Sequence, residues 1–77
     1  MPRHLTKRSF RLAGHATSVA LEGAFWTELE ALAQQQPDRS LAALVAEVDA
    51  ARADQGLPLA SALRLAALAH ARRRNGG

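Results

Sequence analysis

Basic side chains are concentrated near the two ends of this 77-residue sequence. The acidic residues lie mostly between the two clusters, so the net charge is +3 and the isoelectric point is about 11.1. Basic segments around a near-neutral body favour contact with a polyanion, usually a nucleic acid, although a solvated tail has the same composition. The clustered residues are Arg3, His4, Lys7, Arg8 and Arg11 near the start and Arg72, Arg73 and Arg74 near the end.

The residue types give little indication of a disulfide, a metal site, a catalytic site or a phosphate-binding loop. The sequence has no cysteine, which excludes disulfides and thiolate metal sites. His4, His15 and His70 are far apart and lack a metal-ligand spacing. The serines have no base-and-acid set beside them, and the glycines form no phosphate-binding loop. We therefore expect no enzyme, no metal and no cofactor.

Length and hydropathy indicate one small domain. No stretch approaches the roughly 20 apolar residues of a membrane span, and no apolar run of signal-peptide length follows the basic start, so a cytoplasmic protein is expected. Hydrophobic residues make up 48% of the sequence, but many of them are alanine, whose side chain buries little apolar surface area. A chain this short often obtains part of its core from a partner, so the composition favours an oligomer over a marginal monomer.

One segment has the alternation of a β-strand. Over residues 16–21, Thr17, Val19 and Leu21 fall on one side, and the intervening small residues fall on the other. Residues 7–12 alternate more weakly and fit either an edge strand or an extended arm. Ala13-Gly14-His15 is a plausible turn between the two, and residues 1–6 are predicted to be a flexible basic arm.

Three helices are predicted to follow. The first runs from about residue 22 to 36, with Phe25, Leu29 and Leu32 in one stripe and Trp26 at its edge. The second begins after a cap at Ser40 or Asp38, buries Leu41, Leu44, Val45 and Val48, and ends before Gly56. The third covers about residues 58–73 and is apolar on two sides, which predicts that it packs between two surfaces. The domain is predicted to span residues 7–74, with a frayed tail over residues 75–77.

A single strand needs a partner, because unpaired backbone groups at its edges invite pairing. The strand over residues 16–21 can form a hairpin with residues 7–12, or it can pair with its own copy in a second subunit. We expect the symmetric pairing, with a core shared between two subunits. The predicted dimer interface comprises Thr17, Val19, Leu21, Phe25, Leu29, Leu44, Val45 and Val48.

The order of these segments resembles a known family. The stretch KRSFRLAGHATSVALEGAFWTELEALA, followed by SLAALVAEVDAAR and LASALRLAALAHARRR, is similar to small bacterial domains of the ribbon-helix-helix superfamily. The resemblance covers residues 7–73. It implies a mainly α-helical fold with a short β-strand, formed as an intertwined homodimer that shares an antiparallel β-ribbon. The third C-terminal helix predicted above is one more than the superfamily normally has.

The resemblance also implies a site. Members of the superfamily insert the ribbon into the major groove of double-stranded DNA, where outward side chains reach base edges. By position these would be Ala16, Ser18 and Ala20, of which only Ser18 can form hydrogen bonds. The other expected DNA contacts are Lys7, Arg8, Ser9, Arg11 and His15 just upstream, with Arg39 and Ser40 as a phosphate anchor. An alternative anchor lies at residues 59–61, if the third helix corresponds to the superfamily's second.

These expectations favour a dimeric DNA-binding transcriptional regulator. The alternative is a protein-binding adaptor on the same dimeric scaffold, which the alanines at 16 and 20 favour. The expected partners are a second copy, double-stranded DNA and, in the alternative, another protein; no membrane contact is expected.

Overall fold

A computed structural model describes residues 5–76 of the protein. Two strands form one antiparallel hairpin, and three helices follow it. This order confirms the predicted ribbon followed by three helices. The elements are β1 (Leu5–Leu12), β2 (His15–Glu22), α1 (Gly23–Ala33), α2 (Leu41–Arg52) and α3 (Leu59–Gly76).

The hairpin turn has two residues, one fewer than the sequence predicted. Ala13 and Gly14 both have positive φ, 52° and 84°, as a type I′ turn requires. Leu12 therefore pairs with His15, and the register continues to Leu5 opposite Glu22. This turn matches the right-handed twist of the strands and fixes which residues share a face.

The second strand of the hairpin comes from the same chain. β1 pairs with one edge of β2, which confirms the hairpin alternative. The symmetric pairing of residues 16–21 with their copy in a second subunit would use the other edge of β2 and stays a prediction. Leu5 and Thr6 also belong to β1 rather than to the predicted arm, and the remaining arm, residues 1–4, lies outside the described residues.

The three helices form where the sequence predicts them, with differences at their ends. The second apolar side of α3, at Leu65 and Leu68, is exposed in this chain, contrary to the predicted packing between two surfaces. α1 ends at Ala33, three residues early, and turns lead towards Ser40. The cap at Ser40 is confirmed, because its hydroxyl accepts a hydrogen bond from the amide of Ala43 at 3.0 Å. α3 extends to Gly76, so Asn75 and Gly76 are helical rather than frayed, and Gly77 lies outside the described residues.

The core lies beneath the hairpin, where α2 packs against β1 and α3 against β2. Five residues predicted for the dimer interface are at most 5% exposed within this single chain, so we reassign them to its own core. The other three, Thr17, Phe25 and Val48, are partly buried. The reassigned residues are Val19, Leu21, Leu29, Leu44 and Val45.

Trp26 links α1 to the hairpin. Its side chain is 2% exposed, so it belongs to the core. The indole N–H donates a hydrogen bond of 2.8 Å to the carbonyl of Thr6, and the ring lies 5.8 Å from that of Phe10. A buried indole needs such an acceptor, and this one fixes the position of β1 over the helix.

A polar network joins α1 to α3. His70 is 4% exposed, and its Nδ1 lies 2.6 Å from a carboxylate oxygen of Glu28. The amide nitrogen of Gln35, which can only donate, lies 3.0 Å from Nε2, so Nδ1 carries the proton that Glu28 accepts. Arg74 binds both oxygens of Glu28. Hydrogen bonds from Arg74 and then His70 lower the pKa of Glu28 below 4.5.

Replacement of Ala13 by asparagine should stabilise the hairpin. Ala13 has a left-handed backbone, which costs an L-residue about 1 kcal/mol and which asparagine tolerates better. Thermal unfolding should show a higher midpoint for Ala13→Asn. The matched control is Ala16→Asn, in the extended strand, which should not raise it; equal stabilisation by both would contradict this account of the turn.

Substitution of Glu28 should change the response to acid. Because its folded pKa is lowered, the carboxylate stabilises the fold above its ordinary value of 4.5, and this contribution is lost as the pH falls through the folded pKa. Thermal midpoints measured from about pH 6 to pH 3 should therefore fall less steeply for Glu28→Gln than for the wild type. If the thermal midpoints of the two proteins fall equally steeply with pH, the ionisation of Glu28 is not coupled to folding.

Candidate nucleic-acid interface

The hairpin has an inner face on the core and an outer face that is directed away from it. Alternation along each strand, combined with the register, separates the two faces. Six of the residues predicted to contact DNA share the outer face. It comprises Leu5, Lys7, Ser9 and Arg11 of β1 and Ala16, Ser18, Ala20 and Glu22 of β2, of which all but the half-buried Ala20 are exposed.

Two cations project from the outer face without a carboxylate beside them. Lys7 lies opposite Ala20, and Arg11 lies opposite Ala16. Within residues 5–76 neither cation forms an ion pair; Arg11 makes only a long hydrogen bond of 3.4 Å, to the carbonyl of Gly14. Both charges are therefore available to an anion.

Two hydroxyls occupy the centre of the outer face. Ser9 lies opposite Ser18, and their Oγ atoms are 2.9 Å apart, a hydrogen-bonding distance. Counting from the closing pair at Leu12 and His15, this is a pair without backbone hydrogen bonds between its members, where opposite side chains approach most closely.

Arg8, predicted from the sequence to contact DNA, lies on the inner face. Its guanidinium lies 2.8 Å from a carboxylate oxygen of Glu30 and 5.1 Å from the ring centre of Trp26. The pattern of alternation explains the difference, because Arg8 faces the same way as Thr6 and Phe10. We reassign Arg8 to the packing of β1 on α1.

The side chain of Arg39 is also occupied by contacts within the protein. Its side chain is 12% exposed, and its two terminal nitrogens lie 3.0 Å from Glu47 and from the carbonyl of Leu32, to which they donate. Its Nε is buried without a partner among the described residues. Arg39 thus holds the connection between α1 and α2 instead of offering a free cation.

The phosphate anchor stays a prediction in both of its forms. The hydroxyl of Ser40 is exposed but already caps α2 through Ala43. At the start of α3, the amide of Ala62 donates to the carbonyl of Pro58, as in a regular first turn. His15 is exposed at the turn end of the hairpin, where the register places it opposite Leu12 on the side of the inner face.

The acidic residue of the outer face is neutralised by α3. Glu22 accepts a hydrogen bond of 3.1 Å from Arg64. A hydrogen bond from its own backbone and then the one from Arg64 lower the pKa of Glu22, so it is ionised at neutral pH and paired. The negative charge at this end of the hairpin is therefore compensated.

The contact between Ser9 and Ser18 was not predicted from the sequence. The signal was present, because a two-residue turn at Ala13-Gly14 sets the register that places the two serines opposite each other. The predicted three-residue turn gives a different register, in which the two serines are not opposite each other.

Comparison with known families gives one match. The family model described as ribbon-helix-helix domain matches residues 5–71, which is most of the chain. Neither the curated proteins nor the solved structures contain a match. Across residues 5–76, every helix is too short or too polar to cross a membrane.

Arg8 and Arg11 should behave differently when replaced by alanine. Arg8→Ala removes a half-exposed ion pair and a contact with the Trp26 ring, each contributing up to about 1 kcal/mol, so it should lower the thermal midpoint. Arg11→Ala should leave the midpoint nearly unchanged, because Arg11 is exposed and unpaired among the described residues. Equal effects in differential scanning fluorimetry would contradict the separation of the faces.

Proposed function

Because the chain belongs to the ribbon-helix-helix domain family, whose members are generally DNA-binding regulators, we propose that it is a dimeric transcriptional regulator. Its outer face enters the major groove of double-stranded DNA. No catalytic step is part of this proposal, and the cytoplasmic location expected from the sequence stays a prediction.

The outer face is the observation that carries the proposal. When β2 pairs with β2 of a second copy, these two central strands form a two-stranded ribbon with β1 on either side. A ribbon of two strands fits the major groove, which is about 12 Å wide. Lys7 and Arg11 are four residues apart on β1, so their backbones are separated by about 13 Å at the rise of a strand. Two long cations at that separation can reach phosphates, while the short side chains between them approach the bases.

The hydrogen bonding of β2 supports a dimer. In the alternating pattern set by the turn, the backbone groups of Ala16, Ser18 and Ala20 point away from β1 towards an open edge. Charged side chains usually protect such edges, and these three residues are small and uncharged. We propose that β2 pairs there with β2 of a second copy.

Helix α3 adds an apolar surface to the proposed interface. It packs against β2, and its outer side carries Leu65, which is 54% exposed, and Leu68, which is 45% exposed. A second copy that approaches the open edge of β2 would also approach this helix. The second apolar side of α3, noted in the sequence, would then be covered.

A protein-binding adaptor is the second candidate. The open edge of β2 favours it, because an extended segment of another protein could add a strand there. Such binding would depend on backbone hydrogen bonds and apolar contacts. Its dependence on salt would therefore be weak, whereas DNA binding through several phosphates weakens steeply with salt.

Neutralising the two cations of the outer face should weaken DNA binding. For Lys7→Gln/Arg11→Gln, fluorescence anisotropy with duplex DNA should show lower affinity, and the log–log salt slope should become shallower by about 0.9 for each phosphate that the variant no longer neutralises. The control Arg72→Gln/Arg73→Gln removes the same charge from the exposed end of α3 and should have a smaller effect. If the wild type does not bind any duplex at low salt, the regulator proposal fails.

Blocking the open edge should separate the two copies. Ala20→Pro removes an amide that points away from β1, so the hairpin should be retained while pairing with a second copy is abolished. Sedimentation equilibrium should give a dimer for the wild type and for Ala20→Thr and a monomer for Ala20→Pro, with circular dichroism to verify the fold. A monomeric wild type would contradict the proposed dimer.

A further inference from the structure

The hydroxyl pair at the centre of the outer face has a hydrogen-bonding pattern that selects between bases. We infer that Ser9 and Ser18 act together as one reader of adenine in the major groove. This inference rests on the proposed DNA binding and specifies which base the outer face recognises.

The pattern follows from counting donors and acceptors. A serine hydroxyl has one proton to donate and two lone pairs to accept with. At 2.9 Å, one of the two hydroxyls donates to the other and so uses its only proton. The pair then presents one free donor on one oxygen and a free acceptor on the adjacent oxygen.

This combination is the one that a carboxamide side chain offers. In the major groove, adenine presents N7 as an acceptor beside the N6 amino donor, which is why asparagine and glutamine bind it in a bidentate manner. Guanine presents two acceptors, N7 and O6, and would need two donors. As long as the hydrogen bond between Ser9 and Ser18 persists, the pair matches adenine and leaves one acceptor of guanine unsatisfied.

The neighbouring residues allow the approach that short hydroxyls require. Ala16 and Ala20 flank Ser18 on β2, and their small side chains let a base edge come close to the strand. On β1, Lys7 and Arg11 flank Ser9 with long cationic side chains that can extend past the bases to phosphates. The alanines that supply no readers themselves thus make room for the serine pair.

A base-resolved experiment tests this inference. The wild type, Ser9→Ala/Ser18→Ala and the hydroxyl-retaining control Ser9→Thr/Ser18→Thr are each used to enrich duplexes from a random DNA library. In the duplex enriched by the wild type, each adenine is then replaced singly by 7-deazaadenine, which lacks the N7 acceptor. Thermal midpoints verify that all three proteins are folded.

We expect one adenine in each half-site whose replacement weakens wild-type binding by about fivefold, since 7-deazaadenine loses one of the two hydrogen bonds of a bidentate contact. The threonine control should retain this sensitivity, and the alanine variant should lose it while still binding DNA. A wild type that binds DNA without an N7-sensitive adenine, or an alanine variant with unchanged sensitivity, would overturn the inference alone. Failure of the wild type to enrich or bind any duplex would overturn the proposed function as well.

Discussion

The fold depends on the contacts by which Trp26 of α1 holds β1 in place. Its indole donates to the carbonyl of Thr6 and its ring packs near Phe10, while Arg8 lies over it and reaches Glu30. These contacts hold a strand that has only one hydrogen-bonded neighbour among the described residues. A two-stranded hairpin is marginal by itself, and packing on a helix gives it the stability that it lacks.

The same arrangement divides the basic residues of β1 between two roles. Alternation along a strand directs Arg8 inwards, onto Trp26, and directs Lys7 and Arg11 outwards, away from the core. The two outward cations face alanines, so no charge on the opposite strand neutralises them. A basic segment that looks uniform in the sequence therefore contributes one residue to stability and two to the proposed interface.

Much of the fold could be predicted, because the apolar periodicities are local. The three helices, the cap at Ser40 and the inward side of β2 follow from patterns within about ten residues. The partner of β2 could not be predicted in this way, since β1 carries polar side chains on both faces and its alternation is weak. The position of β1 depends instead on a contact between distant residues, the hydrogen bond from Trp26 of α1 to the carbonyl of Thr6 in β1.

The site was harder to predict than the fold. The sequence identified six of the eight residues of the outer face, but it could not separate Arg8 from Lys7 and Arg11 without knowing which way β1 faces. It also could not show that Arg39 donates hydrogen bonds to Glu47 and to the carbonyl of Leu32, since neither residue is adjacent to Arg39 in the chain. The register needed the turn geometry, in which Ala13 adopts a conformation uncommon for alanine.

The central claim is that the outer face of a hairpin formed within one chain binds DNA. The most direct measurement follows backbone amide shifts by NMR as duplex DNA is titrated into the labelled protein. We predict that the largest changes occur at Lys7, Ser9, Arg11 and Ser18, while the indole signal of Trp26 changes little. Changes confined to the helices, with these four amides unaffected, would contradict the account.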